Sequence, residues 1–242
     1  MKYYSKKFYE SLKLNYESAE KIVSFILKIV NPKSVVDVGC GLGVFLNVFK
    51  KKGIKKILGI DGKYVSKDKL LFSKNEFLEH DLEKPINIKK KFDLVLSLEV
   101  AEHISNNNSD VFVESLVNLG DIIVFSSAIP YQGGTNHINE QWPIYWRKKF
   151  EKKGYVLVDC LRNKMWNDKK ILFYYSQNIF FYIKKKILKK NKKIMKEFEK
   201  NKDNPLSIIH PDLFLFNSKR YYFYKKILPF LNIEFFKKIL KR

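Results

Sequence analysis

Val35-Val36-Asp37-Val38-Gly39-Cys40-Gly41-Leu42-Gly43 is the stretch whose reading decides how this chain folds. A β-branched run ends in an acid, three alternating glycines follow, and then apolar residues recur at helical spacing (Val44, Phe45, Val48, Phe49). That is a buried strand feeding a tight loop and a helix. Glycines in such a loop accept positive φ and let a ligand approach the backbone. A dinucleotide fingerprint requires Gly-x-Gly-x-x-Gly, whereas here the third glycine comes one residue early and Val44 takes the expected place. The loop is shaped for a nucleoside more than for a pyrophosphate.

Upstream, Phe8, Leu12, Ala19, Ile22, Val23, Ile26, Leu27 and Val30 repeat at helical spacing before Pro32, which predicts an entry helix over 6–30. Downstream, 56–60, 77–80, 92–98, 121–126 and 155–161 resemble the first run: short, apolar and bounded by polar or turn residues. Strands alternating with crossovers predict a Rossmann-like, doubly wound, mostly parallel sheet whose ligands bind at the carboxyl ends of the strands. Residues 171–176 are expected to form a last strand. Beyond it, Ile179, Ile183, Ile187, Ile194 and Phe198 line one face of a lysine-rich helix that breaks at 201–205. The expected organisation is a core domain over 1–178 and a basic helical extension over 179–242.

The predicted strand ends carry acids in order: Asp37, then Gly59-Ile60-Asp61, then Glu79-His80-Asp81-Leu82, then Ser97-Leu98-Glu99-Val100-Ala101-Glu102-His103-Ile104. A carboxylate closing the second strand can accept both hydroxyl protons of a ribose. Taken together, these motifs resemble the class I S-adenosylmethionine-dependent methyltransferases over roughly residues 20–180. The resemblance implies a seven-stranded sheet, S-adenosylmethionine as cofactor and S-adenosylhomocysteine as product. By position it places Asp37, Gly39, Cys40, Gly41 and Gly43 at the methionine and ribose end, Asp61 and Gly62 on the ribose, Asp81 and Leu82 beside the adenine, and Glu99 and Val100 beside the methionine. His103 completes the implied cofactor set, although its position where a helix begins also suits a cap or a packing role.

A second block, Pro130-Tyr131-Gln132-Gly133-Gly134-Thr135-Asn136-His137-Ile138-Asn139-Glu140-Gln141-Trp142-Pro143-Ile144-Tyr145-Trp146, follows the fifth predicted strand. It resembles a loop of methyltransferases from bacterial capsular and surface-polysaccharide pathways, as do Tyr174-Tyr175-Ser176-Gln177-Asn178 and Ile209-His210-Pro211-Asp212-Leu213. That resemblance implies a sugar or nucleotide-linked sugar as acceptor. Tyr131, Asn136, Glu140, Trp142 and Tyr145 are the candidate substrate-binding residues; aromatic rings suit a sugar face, or alternatively the core beneath the next helix. His137 is the candidate catalytic proton acceptor, since imidazole as a side-chain type can take a hydroxyl proton near neutral pH, with Glu140 or Asn139 orienting its ring or the acceptor. An anionic phosphate or phosphoramidate acceptor would need no base.

The formal charge of +22 comes from 47 Lys/Arg against 25 Asp/Glu, and most of the excess lies after residue 160. Only Arg147, Arg162, Arg220 and Arg242 are arginine, which disfavours nucleic acid as a partner, and the lysine richness also fits an AT-rich codon bias. Ile233, Phe236 and Leu240 opposite Lys237, Lys238, Lys241 and Arg242 suggest an interfacial helix, so peripheral attachment of the enzyme to the inner membrane, or a scaffold held there, is the expectation drawn from the tail. No apolar core of signal-peptide length precedes Glu10, Cys40 and Cys160 are too few for a disulfide framework, and the uncharged run over 171–183 is too short to span a bilayer. A cytoplasmic protein is therefore expected. No metal site is expected either, because His80, His103, His137 and His210 are scattered without His-x-x-x-His or Cys-x-x-Cys spacing.

Overall fold

The computed structural model describes residues 6–227. Seven strands form one sheet: β1 (Ser34–Val38), β2 (Lys56–Asp61), β3 (Phe77–Glu79), β4 (Leu94–Leu98), β5 (Ile122–Ser126), β6 (Tyr155–Val158) and β7 (Phe180–Lys184). Their order is β3-β2-β1-β4-β5-β7-β6, and β7 alone runs antiparallel to its neighbours β5 and β6. The helices are α1 (Lys6–Ile29), α2 (Val44–Lys51), α3 (Ser109–Leu119), α4 (Pro143–Lys152), α5 (Arg162–Met165), α6 (Phe173–Asn178), α7 (Lys185–Lys190), α8 (Lys192–Asn201) and α9 (Pro211–Ile227). This is the expected Rossmann-like sheet.

Every residue of β1 is buried because helices cover both faces of the sheet. Val35 packs with Ile22, Ile26 and Phe49 on one side, whereas Val36 and Val38 join Phe112, Leu116 and Phe150 on the other. Burying a side chain of that size contributes roughly 1.5–3 kcal/mol, so a one-residue slip of β1 would exchange both faces at once. In register, β1 and β2 end together (Val38 opposite Ile60), as do β4 and β5 (Leu98 opposite Ser126). Parallel pairing thereby gathers the carboxyl ends of these strands on a single edge. The entry helix α1 closes with the Val30 amide donating to the Ile26 carbonyl, just ahead of Asn31, which Pro32 holds out of helical geometry.

Two expectations change. Residues 173–178 are helix α6 rather than a last strand, and the final strand is β7, placed where a helix was expected. The sequence Phe180-Phe181-Tyr182-Ile183 is buried on both faces between β5 and β6, so it carries no alternation, and Ile179, Ile183 and Ile187 mimic a helical spacing. Helical spacing holds further on in α7 and α8, where the Asn191 side chain caps α8 by accepting from the amides of Lys193 and Ile194 at 3.1 Å. The core unit therefore runs to Ile208, and a boundary at 178 would remove a central strand.

The second unit starts at Ile209 and contains α9, whose Phe214, Phe216 and Tyr221 are exposed. The interfacial helix expected around Ile233, Phe236 and Leu240 lies outside the described residues. Among the described residues no helix is long and apolar enough to cross a membrane.

Candidate functional site

The glycine loop between β1 and α2 opens onto two adjoining cavities at the carboxyl edge. The larger, about 700 Å³, is lined by Gly39, Gly41, Asp61, Gly62, Tyr64, Asp81, Leu82, Glu83, Glu99, Val100, His103, Ile104, Thr135, Asn136 and Ile138. The smaller, about 240 Å³, is lined by Asn15, Asp37, Gly39, Cys40, Gly41, Leu42, Val44, Phe45, Leu98 and Tyr175. Gly39 and Gly41 belong to both, so the loop forms a shared sill. A Cβ on Gly39, at φ 84°, would come within 2.3 Å of the Val100 side chain. A Cβ on Gly41, at φ 52°, would meet no atom within 4 Å and would project into open space.

Two carboxylates form the floor. Asp61 at the end of β2 accepts from the amides of Gly41 and Gly62, each at 2.7 Å, and from the Tyr64 hydroxyl. Asp37 in β1 is 4% exposed, and its burial together with the nearby Asp61 carboxylate pushes its carboxyl up to about 7. Asp81 and Leu82 form a side wall. Glu83 fastens that wall by accepting from the Ser105 amide at 2.8 Å, the Ser105 hydroxyl at 2.9 Å and the Asn108 amide group at 2.6 Å.

At the end of β4 the backbone turns through Glu99 at φ 55°. Glu99, Tyr131 and Asn136 are the three non-glycine residues with positive φ among the described residues, and all three lie in this edge or its covering loop. Such conformations cost of order 1–3 kcal/mol each and persist where surrounding bonds enforce them. The Glu99 amide donates to the carbonyl and hydroxyl oxygens of Ser126, and its carboxylate accepts from Gln132 at 2.8 Å and Asn178 at 3.1 Å. Gln177 and Asn178, both buried at the end of α6, extend this amide network to Gln132.

The loop before α4 folds around Glu140, which accepts from the amides of Tyr131 (2.8 Å) and Gly133 (2.7 Å) and lies 2.9 Å from His137 Nδ1. His103 stands edge-on to His137, ring centroids 4.9 Å apart, with its own Nδ1 3.1 Å from the Asn136 carbonyl oxygen. Behind them Glu102 is fully buried. Burial and the neighbouring Glu99 carboxylate push the Glu102 carboxyl up to about 9, while the nearby Ala128 amide and Ser127 hydroxyl offset this only in part. Where no metal-binding spacing was found in the sequence, the fold brings Glu102, His103 and His137 together, one ligating atom of each within 4.8 Å of the others.

The chain is similar to several known proteins. Residues 11–116 match the family described as a methyltransferase domain. Over 111 residues the chain is 30% identical to the mitochondrial ubiquinone biosynthesis O-methyltransferase of Dictyostelium discoideum, covering 39% of this chain and 35% of that protein. The chain thus spans about a third of that relative's length. Among solved structures it shares the fold of the methyltransferase domain of bacterial CtHen1 (TM-score 0.53, 22% identity, 71% of this chain and 98% of that one). It also shares the fold of magnesium protoporphyrin IX methyltransferase from Synechocystis PCC 6803 with bound S-adenosylmethionine (TM-score 0.53, 17% identity, 71% and 80%). A third is DesVI of Streptomyces venezuelae (TM-score 0.55, 12% identity, 73% and 95%).

Eleven of the twelve residues expected around the cofactor line one or both cavities; the exception is Gly43, whose Cβ position is filled by the Phe72 ring. Of the residues expected to bind substrate, Asn136 lines the larger cavity, and the others do not. Tyr131 is 86% exposed, Glu140 is bound up in the loop, and Tyr145 points its hydroxyl to Asn106 at 2.6 Å. Trp142 precedes α4 as its cap residue, and Trp146 is core beside Phe125. Tyr64, Glu83, Gln132 and Thr135 belong to the site without having been singled out for it. The turns after β2 and β3 and the folding of the 130–140 loop bring them there.

Proposed function

We propose that this chain is an S-adenosylmethionine-dependent O-methyltransferase acting on a hydroxyl of a sugar or surface-polysaccharide precursor. The observation that carries the reading is the lining of the larger cavity: four carboxylates (Asp61, Asp81, Glu83, Glu99), one imidazole, and neither Lys nor Arg. In a chain of formal charge +22 this is an anionic pocket in a basic protein. It supports a cationic cofactor and a neutral hydroxylic acceptor over a phosphate, a phosphoramidate or a nucleic-acid strand, each of which would meet like charge.

The residues suit the cofactor. Asp61, with an oxygen on each of two loop amides, would hold the ribose hydroxyls. The open side of Gly41 admits the ligand across the sill, and Asp37 in the smaller cavity would hold the methionine ammonium. When bound, S-adenosylmethionine supplies a methyl group on a sulfonium for in-line transfer to a nucleophile. The chain's task is then to align the acceptor and exclude water, and the loop over 135–138 forms the wall suited to both. The acceptor class follows from this wall and from the likeness of residues 130–146 to loops of polysaccharide-pathway methyltransferases.

Incubation with methyl-labelled cofactor and a panel of nucleotide-activated sugars, phosphoramidates and RNA, followed by mass spectrometry, tests the reading. Label on a sugar oxygen is expected. Label confined to RNA or to a phosphorus-bearing oxygen would overturn the acceptor assignment, and no cofactor binding by calorimetry would overturn the whole.

A further inference from the structure

The second unit, Ile209–Arg242, differs from the core in what it leaves open to solvent. In α9 the rings of Phe214, Phe216, Tyr221 and Tyr222 and the side chain of Leu215 are each more than half exposed. Tyr221 follows Phe214, and Tyr222 follows Leu215, by seven residues, which is two helical turns along the same face. Between and after them stand Lys219, Arg220 and Lys225, also exposed, with the Arg220 guanidinium 5.5 Å from the centre of the Phe216 ring. Side chains of this size cover about 150–250 Å² each, so five at half exposure leave roughly 500 Å² of mainly apolar surface on one helix, a size that marks an interaction surface. A codon bias explains how many Lys, Phe and Tyr the chain contains but not rings left in water, since Phe112, Phe125, Phe150 and Phe181 of the core unit are all buried.

Charge decides what can cover this surface. Residues 209–242 carry eight Lys/Arg against two Asp/Glu, a net charge of +6. A second copy of the chain would set two such units against each other, like charge on like charge. A single strand of RNA would suit the charge and the rings, but Leu215 offers no flat face to a base, and six of the eight cations are lysine rather than arginine. A bilayer containing anionic lipid takes every part. Phe and Leu enter the acyl boundary and Tyr settles at headgroup level, while the stems of Lys and Arg run over apolar surface and their charged ends reach the lipid phosphates. Among the described residues no helix is long and apolar enough to cross a membrane, so the contact of α9 is with the bilayer surface.

We propose that the unit Ile209–Arg242 is a membrane-surface anchor, with α9 lying in the headgroup region of a bilayer rich in anionic lipid. Two attractions add. Burial of the exposed rings is insensitive to ionic strength, whereas the pull of the positive charge on anionic headgroups fades within a Debye length of about 8–10 Å at moderate salt. Stable attachment takes both, so removing either releases the protein. The anchor is separable from methyl transfer, because both cavities at the carboxyl edge are lined by residues of the first unit.

The test sediments the full chain with vesicles of phosphatidylcholine, alone or with about one third phosphatidylglycerol. Binding to the anionic vesicles should be at least about tenfold tighter, and should weaken at least about tenfold between roughly 0.05 and 0.5 M salt. Phe214→Ser/Phe216→Ser and Tyr221→Ser/Tyr222→Ser should each lose about tenfold or more on the anionic vesicles. Tyr221→Trp/Tyr222→Trp should keep the binding, because Trp also favours headgroup level. Circular dichroism and cofactor affinity should match wild type in every variant; if a serine pair fails to fold, the wild-type preference for anionic vesicles and the tryptophan pair still decide. Equal or absent binding to the two vesicle types at low salt, or binding unchanged by both serine pairs, would overturn the proposal. So would tighter binding to single-stranded RNA than to vesicles at equal phosphate, or a dimer in sedimentation velocity that the serine pairs dissociate. Protein that binds cofactor but no vesicle refutes the anchor alone, and protein that binds vesicles but no cofactor refutes the methyltransferase reading alone.

Discussion

Replacing Asp37 by Asn separates the stability of this fold from its use. Burial and the nearby Asp61 carboxylate raise the Asp37 carboxyl from 3.8 to about 7. The folded chain therefore holds a proton that the unfolded chain has released over that range, and wild-type stability falls as pH rises through it. Each pH unit costs about 1.4 kcal/mol, so between pH 5 and about pH 7 the loss is roughly 3 kcal/mol, with no further loss at higher pH. The amide of the Asp37→Asn variant does not titrate. Whatever constant cost that amide adds, the melting temperature of the variant relative to wild type should rise by about 6–12 °C between pH 5 and pH 8. Differential scanning calorimetry of both proteins without cofactor, at the two pH values, measures this directly. The variant should also lose cofactor affinity, because the carboxylate proposed to hold the methionine ammonium is gone. A gap between the two melting temperatures that is the same at pH 5 and pH 8 would refute the argument that Asp37 is held as a buried, electrostatically strained acid.

Two further perturbations address the sill and the scaffold. Gly39→Ala should lower the melting temperature markedly, with partial recovery in the Gly39→Ala/Val100→Ala pair, because the added Cβ meets Val100 at 2.3 Å. Gly41→Ala, with no protein atom near the new methyl, should cost only about 1–2 kcal/mol of stability yet reduce cofactor affinity at least about tenfold by calorimetry. Arg162 is 2% exposed, pairs with Asp159 through two bonds (3.0 and 2.6 Å) and also donates to the Pro205 and Leu206 carbonyls. Arg162→Ala should destabilise the core unit by about 3–5 kcal/mol in urea unfolding, since it leaves Asp159 buried without its partner.

What was legible in the sequence was local. The Val35–Gly43 stretch announces strand, loop and helix because burial on both faces demands an apolar run and a ligand-facing turn demands glycine. The acids at 37, 61, 81 and 99 were legible because each lies within two residues of its strand's carboxyl end, and parallel pairing aligns strand ends. The exchange of α6 and β7 was not legible. A strand buried on both faces shows no alternation, and only its place between β5 and β6 identifies it. The aromatic residues of the 130–146 block misled for a related reason: Trp146 and Tyr145 share the sequence context of a binding loop but pack on or beside the core under α4.

The opening stretch by itself determined the fold class and the glycine-loop side of the site, because those depend on residues adjacent along the chain. The tertiary structure alone decided what stands across the cavity from the glycine loop. Glu102 and His103 follow β4 and His137 follows β5, and nothing in their spacing pairs them. They meet because β4 and β5 lie side by side, and because the amides of Ile138 and Asn139 donate to the Glu102 carbonyl at 2.9 and 3.0 Å, drawing the loop across the strand ends. A charge of +22 is likewise a property of the sequence. That the larger cavity is lined by carboxylates and by no lysine or arginine is a property of the fold, which turns the acids at the strand ends inward to one edge.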